Sequence, residues 1–524
     1  MILQQLKFSM LSYFKLKQNK IFELSFLALF AIIILIGTLN HAMWRDELNG
    51  WLIARDSVSF VDFFHNIKYE GHPLLWYLCL WILNQLTPNP LAMQIFHWLI
   101  ATGAFALFML FAPFKRLQKI LFLFGYLPLY EYSLISRNYS IGILFVFLFC
   151  VFFPSRYKSY LLLALILALM ANTNAYCLLI SLALALTLMI EYAFKNKLNY
   201  ETKANIYNLV YALILLGIGI IISVFMLLPP GDSTLQGGAD QWLFQFDFNR
   251  LTQTITRIWR SYILVLIPSD SKPTDLILFS FLSLGLFGFA ITILIKKPIA
   301  LCFYLMGSLQ ILLFTYLKFL GSQRHYGHLY IILITALWIA YYYPDSDVIV
   351  KYLAKLPAQF SRMWLKWFKF VELHKQTLIM IILWLQVIAG IVAFSRDLIT
   401  PYSASKATAK FIQENNLTTN LMIGTEDFAV SPISGYLNQK IYYPETQSLA
   451  SYVLFTQERK LISDSDLMLE INQLINQQNK PILLIINREF HQPLFELNIK
   501  LLASFRKAFI YNEKYYLYFI TPKK

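Results

Sequence analysis

Apolar runs of about 20 residues recur along the first three quarters of the chain and restrict its fold more than any other feature. A helix of that length spans the hydrocarbon of a bilayer. The first run, residues 21–39, lacks a small-residue cleavage site, so we expect it to be retained as a span. With 58% hydrophobic and 14% charged residues, the composition is too apolar for a soluble globular protein. The sequence therefore predicts a multi-pass α-helical membrane protein.

Eleven apolar runs are expected to form transmembrane helices. They cover residues 21–39, 91–113, 117–135, 139–153, 159–173, 175–193, 204–228, 274–295, 298–317, 326–343 and 377–395. The run at 139–153 is short for a bilayer, and only a polar triplet separates the runs at 159–173 and 175–193. The shorter stretch from 73 to 86 is expected to lie at the interface or to re-enter the membrane.

Basic residues gather in alternate loops, as the positive-inside rule requires. The clusters are Lys7, Lys15, Lys17 and Lys20; Lys115, Arg116 and Lys119; Arg156 and Lys158; Lys195, Lys197 and Lys203; and Lys296 and Lys297. We therefore expect a protein of the cell (inner) membrane. These loops and its N-terminus would lie on the cytoplasmic side. Residues 344–376 mix lysines with tryptophans, which predicts an amphipathic helix on an anionic leaflet. Because the net charge of +15 is spread over short loops, nucleic-acid binding is not expected.

The composition changes after Arg396, where polar residues become common and no later run could span a bilayer. This change divides the chain into a transmembrane domain, 1–395, and a soluble domain, 396–524. An odd number of spans places the second domain outside the cytoplasm. Its short apolar runs and helix-like stretches predict a small α/β layer, with strands near 421–423, 481–486 and 515–520 and helices near 404–414 and 464–475. Since it shows no nucleophile motif, phosphate loop or metal spacing, we expect it to act as a lid or packing platform.

The loop at residues 40–73 carries the most reactive side chains. Asp46 and Glu47 follow the first span directly, and Glu70 and His72 precede the next helix. Carboxylates can activate a hydroxyl or hold a divalent cation, and a histidine can meet a phosphate. The alternative is that Asp46 only caps a helix that begins at Glu47.

Two segments of this region, WRDELNGWLIAR at 44–55 and EGHPLLWY at 70–77, carry a family resemblance. They resemble the first external loop of the bacterial relatives of protein O-mannosyltransferases and of lipid A aminoarabinose transferases. These proteins are glycosyltransferases of the multi-spanning C-type fold. Leu74 departs from the family pattern, in which a second proline stands at that position.

A second match is SRNYS at 136–140, which is similar to a family segment at an external helix end. The match implies that Arg137 and Tyr139 bind substrate and that Arg137, with His72, stabilises the departing phosphate. On sequence alone, Arg137 could equally be an interfacial charge that snorkels towards water.

A third match is KFLGSQRHYGH at 318–328, which resembles the Arg-Tyr segment before a late span of these enzymes. It implies that Arg324, His325 and Tyr326 bind the donor sugar and its phosphate. The alternative is that Lys318 and Arg324 only end helices.

The resemblance implies an inverting glycosyltransferase, of the hexosyl or pentosyl class. It would move a sugar from a polyprenyl-phosphate donor to an extracytoplasmic protein, lipid or glycan. Asp46 is the expected general base, with Glu47 its nearest competitor. Glu47 and Glu70 would orient it or hold Mg²⁺ or Mn²⁺.

Two other classes remain open from the sequence. A transporter or flippase for lipid-linked substrates predicts charges at mid-span and related halves, and the sequence shows neither pattern. A non-catalytic membrane assembly subunit is compatible with the same predicted fold.

Overall fold

The computed structural model describes residues 20–194, 203–235, 242–355, 357–478, 480–490 and 497–522. The basic residues Lys7, Lys15, Lys17, Lys195 and Lys197, on which part of the topology prediction depends, lie outside these ranges. Helices make up most of the described chain, and one sheet lies near its C-terminal end.

The helices before the sheet differ widely in length. They are α1 (Ile21–Asn40), α2 (Arg45–Asp56), α3 (Phe60–Asn66), α4 (Leu74–Asn84), α5 (Leu91–Phe111), α6 (Arg116–Leu123), α7 (Tyr139–Phe152), α8 (Leu161–Ala171), α9 (Ala175–Ala193), α10 (Ile206–Leu227), α11 (Phe248–Tyr262), α12 (Pro273–Leu294), α13 (Pro298–Leu317), α14 (Gln323–Tyr326), α15 (His328–Ala340), α16 (Val348–Ala354) and α17 (Ala358–Ile399). Among the described residues, eight helices are long and apolar enough to cross a membrane: α1, α5, α7 with the turn after it, α9, α10, α12, α13 and α17. The chain is therefore a multi-pass membrane-embedded protein.

Three of the eleven predicted spans do not form a single long helix in the structure. The run at 117–135 is not one helix, because α6 ends at Leu123 and a π-helical turn, Leu127–Glu131, follows with Pro128, which lacks a backbone N–H. The runs at 159–173 and 326–343 form α8 and α15, which at about 1.5 Å per residue are shorter than the hydrocarbon.

The amphipathic helix predicted at 344–376 and the span predicted at 377–395 are largely one element. From Ala358, α17 continues for 42 residues, because the sequence contains no proline and no glycine before Gly390 to end it. Gly390 lies where this helix crosses the turn after α6, and a Cβ there would come within 2.8 Å of the Phe124 carbonyl oxygen. The glycine thus allows the two backbones to pack closely.

Local chemistry sets where several helices begin. The side chains of Asn174, Asn205 and Asp247 accept backbone N–H bonds from the first turns of α9, α10 and α11. Pro273 and Pro298 occupy the first positions of α12 and α13, where no backbone donor is needed.

The bundle is packed so that one set of helix ends meets at one face. Its core is aromatic; the Phe108 and Phe122 ring centroids, for example, are 4.1 Å apart. Neighbouring pairs include α1 with α5, α5 with α7, α8 with α10, α9 with α13 and α13 with α15. The C-terminal ends of α10 and α13 and the N-terminal ends of α7 and α9 all contribute to one cavity.

A mixed six-stranded sheet forms the C-terminal part. Its elements are α18 (Ser405–Glu414), β1 (Leu421–Gly424), α19 (Asp427–Leu437), β2 (Ile441–Tyr443), β3 (Ser448–Ala450), α20 (Asp464–Gln478), β4 (Ile482–Ile486), β5 (Leu497–Phe505) and β6 (Tyr515–Pro522). The strand order is β3-β2-β1-β4-β6-β5, with β1 parallel to β2 and β4 and the other pairs antiparallel. Helices cover both faces, so β4 is buried along its length.

The sheet part docks on α2, the helix that follows the first span. The Met43 N–H donates to the Tyr436 hydroxyl at 2.7 Å, and the Arg45 guanidinium donates to Asn512 at 2.7 Å. Near the other end of α2, Arg55 donates to Asn438 at 2.9 Å. The first loop is therefore enclosed between the helical bundle and the sheet part.

Candidate active site

A cavity of about 550 Å³ lies where the first loop, the gathered helix ends and the sheet part meet. Seven of the nine predicted site residues line it: Asp46, Glu70, His72, Arg137, Tyr139, Arg324 and His325. Glu47 and Tyr326 do not. The geometry thus brings together segments that are far apart in the chain.

Asp46 lies in the first turn of α2 and lines the cavity. Its Oδ2 accepts a hydrogen bond from Arg324 at 2.9 Å, and the guanidiniums of Arg137 and Arg45 lie 3.8 and 3.9 Å from its carboxylate oxygens. The side chain keeps 28% of its exposure. Capping does not explain Asp46, because the helix begins at Arg45 and it is the Glu47 carboxylate that accepts the Trp44 backbone N–H.

Glu47 faces away from the cavity and is fully buried. Its Oε2 accepts from His41 at 3.0 Å and from the Trp44 N–H at 3.2 Å, and its Oε1 accepts from the Ser136 N–H at 2.6 Å. The other ring nitrogen of His41 lies 2.9 Å from the Asp397 carboxylate, near the end of α17. Burial alone would lower the pKa of His41, but the two carboxylates raise it to about 10. An imidazolium clamped between two carboxylates therefore joins α1, α2 and α17.

Glu70 is held at the cavity wall by two donors. The Asn49 amide donates to its Oε1 at 2.6 Å and the Tyr77 hydroxyl donates to its Oε2 at 3.2 Å. Desolvation raises the pKa of Glu70, while the nearby positive charge of Arg137 opposes the rise. Gly71 follows with φ of 66°, in the left-handed region that glycine adopts readily, and turns the chain towards His72.

His72 is neutral and accepts a hydrogen bond from Arg137. The Arg137 Nη2 lies 2.8 Å from His72 Nε2, and because arginine can only donate, Nε2 is the unprotonated nitrogen and the ring keeps its proton on Nδ1. Desolvation lowers the pKa of His72 well below its ordinary value, and the charges of Arg137 and Arg324 lower it further. At neutral pH this histidine supplies one N–H and no charge.

Arg137 connects the loop to the helical bundle. It precedes α7, is 8% exposed, and donates to the Asp46 backbone carbonyl as well as to His72. The guanidinium therefore faces the cavity, and the alternative in which it snorkels towards water does not describe it.

Aromatic rings form one wall of the cavity. The Tyr176 ring stacks on His325 with centroids 5.3 Å apart, and Tyr139 meets the same imidazole edge-on at 5.8 Å. Among the described residues, the buried hydroxyls of Tyr139 and Tyr176 have no hydrogen-bond partner. Rings with unsatisfied hydroxyl groups suit a ligand with an apolar face and polar edges.

Tyr326 lies on the side of α14 that faces away from the cavity. It is 5% exposed, and the Arg257 guanidinium lies 5.1 Å from its ring centroid. The family resemblance assigned it to the donor, but its position serves the packing of α11 against α14.

Sequence reasoning missed the sheet part's contribution. The side chains of Phe428, Ser431 and Phe455 line the cavity, and the amide of Asn49 exchanges two hydrogen bonds with the Val453 backbone, at 2.8 and 3.0 Å. No local motif marks these residues. The domain predicted to be a lid or platform thus supplies part of the cavity wall.

Three further lining residues did have a sequence signal. Asn174, the last residue of the polar triplet that separates two apolar runs, and Tyr176 line the cavity at the start of α9. Lys318, at the end of α13, lies 5.1 Å from the Trp242 ring and also lines the cavity. Polar residues at the helix ends of one membrane face were therefore the sequence pattern that could have identified these lining residues.

One arm of the cavity is apolar. Its lining includes Val224, Leu227 and Leu228 at the end of α10, and Phe314 and Phe319 around the end of α13. Neighbouring α10 side chains are exposed at the outer surface of the bundle, for example Ile221 at 69%. The arm therefore lies beside a helix whose outer face is apolar enough to meet lipid.

The predicted divalent cation does not fit the donor set. Both Glu47 oxygens accept hydrogen bonds from protein groups, and the Glu70 oxygens are bonded to Asn49 and Tyr77. Within the ranges that the structure covers, no three His, Cys, Asp or Glu side chains are grouped as metal ligands. The guanidiniums of Arg137 and Arg324 contact the Asp46 carboxylate at the position that a metal ion would have to occupy.

The cavity can bind an anion and accept a proton in the same place. Four cationic side chains, Arg45, Arg137, Lys318 and Arg324, line it against the two carboxylates of Asp46 and Glu70. Excess positive charge in a partly dry cavity attracts phosphate. Comparisons of the chain with protein families, with curated proteins and with solved structures found no match.

Proposed function

We propose that the protein is an inverting glycosyltransferase that moves a sugar from a polyprenyl-phosphate donor to an acceptor protein, lipid or glycan. The observation that carries the proposal is the position of Asp46, whose carboxylate is held by Arg324 and lies beside Arg137, in a cavity with an apolar arm. These features match the three parts of the reaction: a base, a leaving phosphate and a lipid chain.

The donor would bind with its phosphate at the guanidiniums and its isoprenoid chain in the apolar arm. Arginine offers parallel N–H donors that match two phosphate oxygens. The arm at Leu227 and Leu228 lies beside the outer face of α10, so the chain has a route from lipid. Neutral His72 would add a hydrogen bond through Nδ1 rather than the positive charge that the sequence suggested.

Phosphate binding would also release the base. In the absence of substrate, Arg324 and Arg137 neutralise Asp46. A donor phosphate competes for the same N–H groups, which leaves the carboxylate free for an acceptor hydroxyl. Glu70 is less suited, because the Asn49 amide and the Tyr77 hydroxyl already occupy its carboxylate oxygens.

In the transfer step the acceptor oxygen attacks the anomeric carbon on the face opposite the phosphate. The acceptor's proton passes to Asp46 as the new carbon–oxygen bond forms. The bond from the anomeric carbon to the phosphate oxygen breaks, and the electron pair leaves with polyprenyl phosphate beside Arg137 and Arg324. Attack from the opposite face inverts the configuration.

We further infer that the site lies outside the cytoplasm and that the sheet part does too. The described basic clusters, such as Lys115 with Arg116 and Lys296 with Lys297, lie at the opposite helix ends. Such clusters favour the cytoplasmic side of a cell membrane. Protease access from each side of oriented vesicles would test the orientation.

The test is transfer of radiolabelled sugar by purified protein in lipid nanodiscs, with a panel of polyprenyl-phosphate sugars and acceptors. Asp46→Asn is expected to lose turnover by about a thousandfold or more, the upper range for a general base. Asp62→Asn is the matched control, because Asp62 lies in the same loop, outside the cavity. Full turnover in a folded Asp46→Asn variant would contradict the assignment.

The two alternatives from the sequence predict other results in the same assay. A transporter or flippase would move the intact donor between leaflets without cleaving it. A non-catalytic assembly subunit would not cleave the donor and would not bind it through Arg137, so Arg137→Gln would leave any association with the donor unchanged.

A further inference from the structure

A second cavity, of about 320 Å³, lies at the other end of the bundle. Its mouth carries Lys115 before α6, Lys297 before α13 and Lys375 on α17. Aromatic and aliphatic side chains such as Phe108 and Leu337 line the rest. The cavity thus combines a cationic mouth with an apolar interior.

The two cavities are separated by roughly the thickness of a bilayer core. Gln376 lines the second cavity, and Asp397 contacts His41 beside the first loop. Both residues are on α17, and the helix between residues 376 and 397 is about 30 Å long at 1.5 Å per residue. The lysine mouth is therefore at the level of the opposite membrane surface.

The lysines keep positive charge available at this mouth. Lys297 pairs with Asp345 at 2.9 Å and Lys375 pairs with Glu372 at 2.8 Å, but these carboxylates are 68% and 35% exposed, so water screens the pairs. In the part of the chain that the structure describes, no carboxylate pairs with Lys115. An incoming anion can therefore compete for all three ammonium groups.

We propose that this second cavity binds an anionic phospholipid, with its phosphate at the three lysines and one acyl chain in the apolar interior. The amides of Gln118 and Gln376 line the same mouth and can donate to phosphate oxygens. A free phosphate would leave the apolar lining unused, whereas a phospholipid uses both parts. This site is independent of the transfer reaction and goes beyond the proposed function.

The experiment is a lipid titration of the delipidated full-length protein, read by native mass spectrometry. Phosphatidylglycerol is the anionic probe and phosphatidylcholine the neutral comparison. The variant K115Q/K297Q/K375Q is expected to bind the first phosphatidylglycerol about tenfold more weakly, a conservative value for three lysines. The control K410Q/K440Q/K500Q removes the same charge from exposed positions of the sheet part, outside the cavity and outside the segment predicted to lie on an anionic leaflet, and is expected to bind like the wild type.

A second variant separates the apolar interior from the charges. Ala340 lines the cavity and is 8% exposed, so Ala340→Phe fills space without changing a charge. It is expected to weaken phosphatidylglycerol binding as well, and it decides the question if the triple variant fails to fold. Water-soluble glycerophosphoglycerol, which has the same phosphate and no acyl chain, is expected to bind much more weakly than the lipid.

Four results would overturn the proposal. Equal weakening by the control variant would mean diffuse surface attraction. Equal affinity for glycerophosphoglycerol would mean a free phosphate site. Unchanged lipid binding in both cavity variants, or equal binding of phosphatidylcholine, would remove the assigned headgroup from this cavity.

Discussion

The two faces of helix α2 place adjacent carboxylates in opposite environments. Asp46 opens to the cavity with 28% exposure and is held by guanidiniums. Glu47 is fully buried and is held by His41 and two backbone N–H groups. Successive helical residues point about 100° apart, so neighbours in sequence need not share surroundings. The cavity face of α2 therefore carries a carboxylate that a ligand can reach. The buried face carries a carboxylate that holds neighbouring helices together.

The largest predicted effect concerns the buried face of α2. We expect the folded protein to lose stability at alkaline pH. The pKa of His41 is about 10 in the folded protein, compared with 6.5 for an unperturbed histidine. The stabilisation is fully present below pH 6.5 and is lost as pH rises towards 10, on the order of 1 kcal/mol per pH unit and several kcal/mol in total. Unfolding in mild detergent at several pH values measures the slope.

Two variants control for other groups that titrate at high pH. His41→Gln is expected to remove the slope between pH 6.5 and 9. His65→Gln, at an exposed position, is expected to keep it. A wild-type stability that rises over this interval would show that His41 is not a charged brace.

The second prediction compares the two carboxylates directly. Glu47→Gln removes one partner from a buried imidazolium and is expected to lower the free energy of unfolding by about 3 kcal/mol. Asp46→Asn is expected to cost about 1 kcal/mol, because its site is partly solvated. Equal destabilisation by the two variants, measured by denaturant titration, would remove the distinction between the faces.

The third prediction concerns the cavity face. Arg324→Gln removes the closest guanidinium from Asp46 and is expected to weaken donor binding by about a hundredfold, the value of a strong charged hydrogen bond. Titration of a polyprenyl-phosphate sugar measures it. Arg506→Gln, at an exposed arginine of the sheet part, is the matched control. Unchanged affinity in Arg324→Gln would place the phosphate elsewhere.

The smallest predicted effect compares Tyr139 with Tyr326. The family resemblance assigned both tyrosines to substrate binding. Tyr139→Phe removes a hydroxyl of the cavity wall and is expected to lower kcat/KM about fivefold, the value of one hydrogen bond. Tyr326→Phe is expected to change it less than about twofold, because Tyr326 lies outside the cavity. If Tyr326→Phe had the larger effect, the assignment of the cavity wall would need to be reversed.

Much of the site was predictable because polar residues at apolar helix ends are a local pattern. Asp46, Arg137 and Arg324 stand near the ends of predicted spans at one face. His72 precedes the predicted interfacial stretch at 73–86, and the structure brings all four to one cavity. The direction of a side chain around its helix was less predictable. Glu47 and Tyr326 have the right residue type and the right membrane level, but packing against α1 and α11 turns them away.

The sequence by itself determined the eight long apolar helices, the change of composition near residue 396 and three of the six strands of the sheet part, β1, β4 and β6; it missed β2, β3 and β5. Each depends on hydrophobicity or charge within a few dozen residues. Only the tertiary structure decided which carboxylate is open and which is locked. Glu47 is locked because His41 meets Asp397, a residue 356 positions away, and Asn49 is fixed by Val453 from the sheet part. Such contacts follow from how whole helices and the sheet pack together, and no local pattern encodes them.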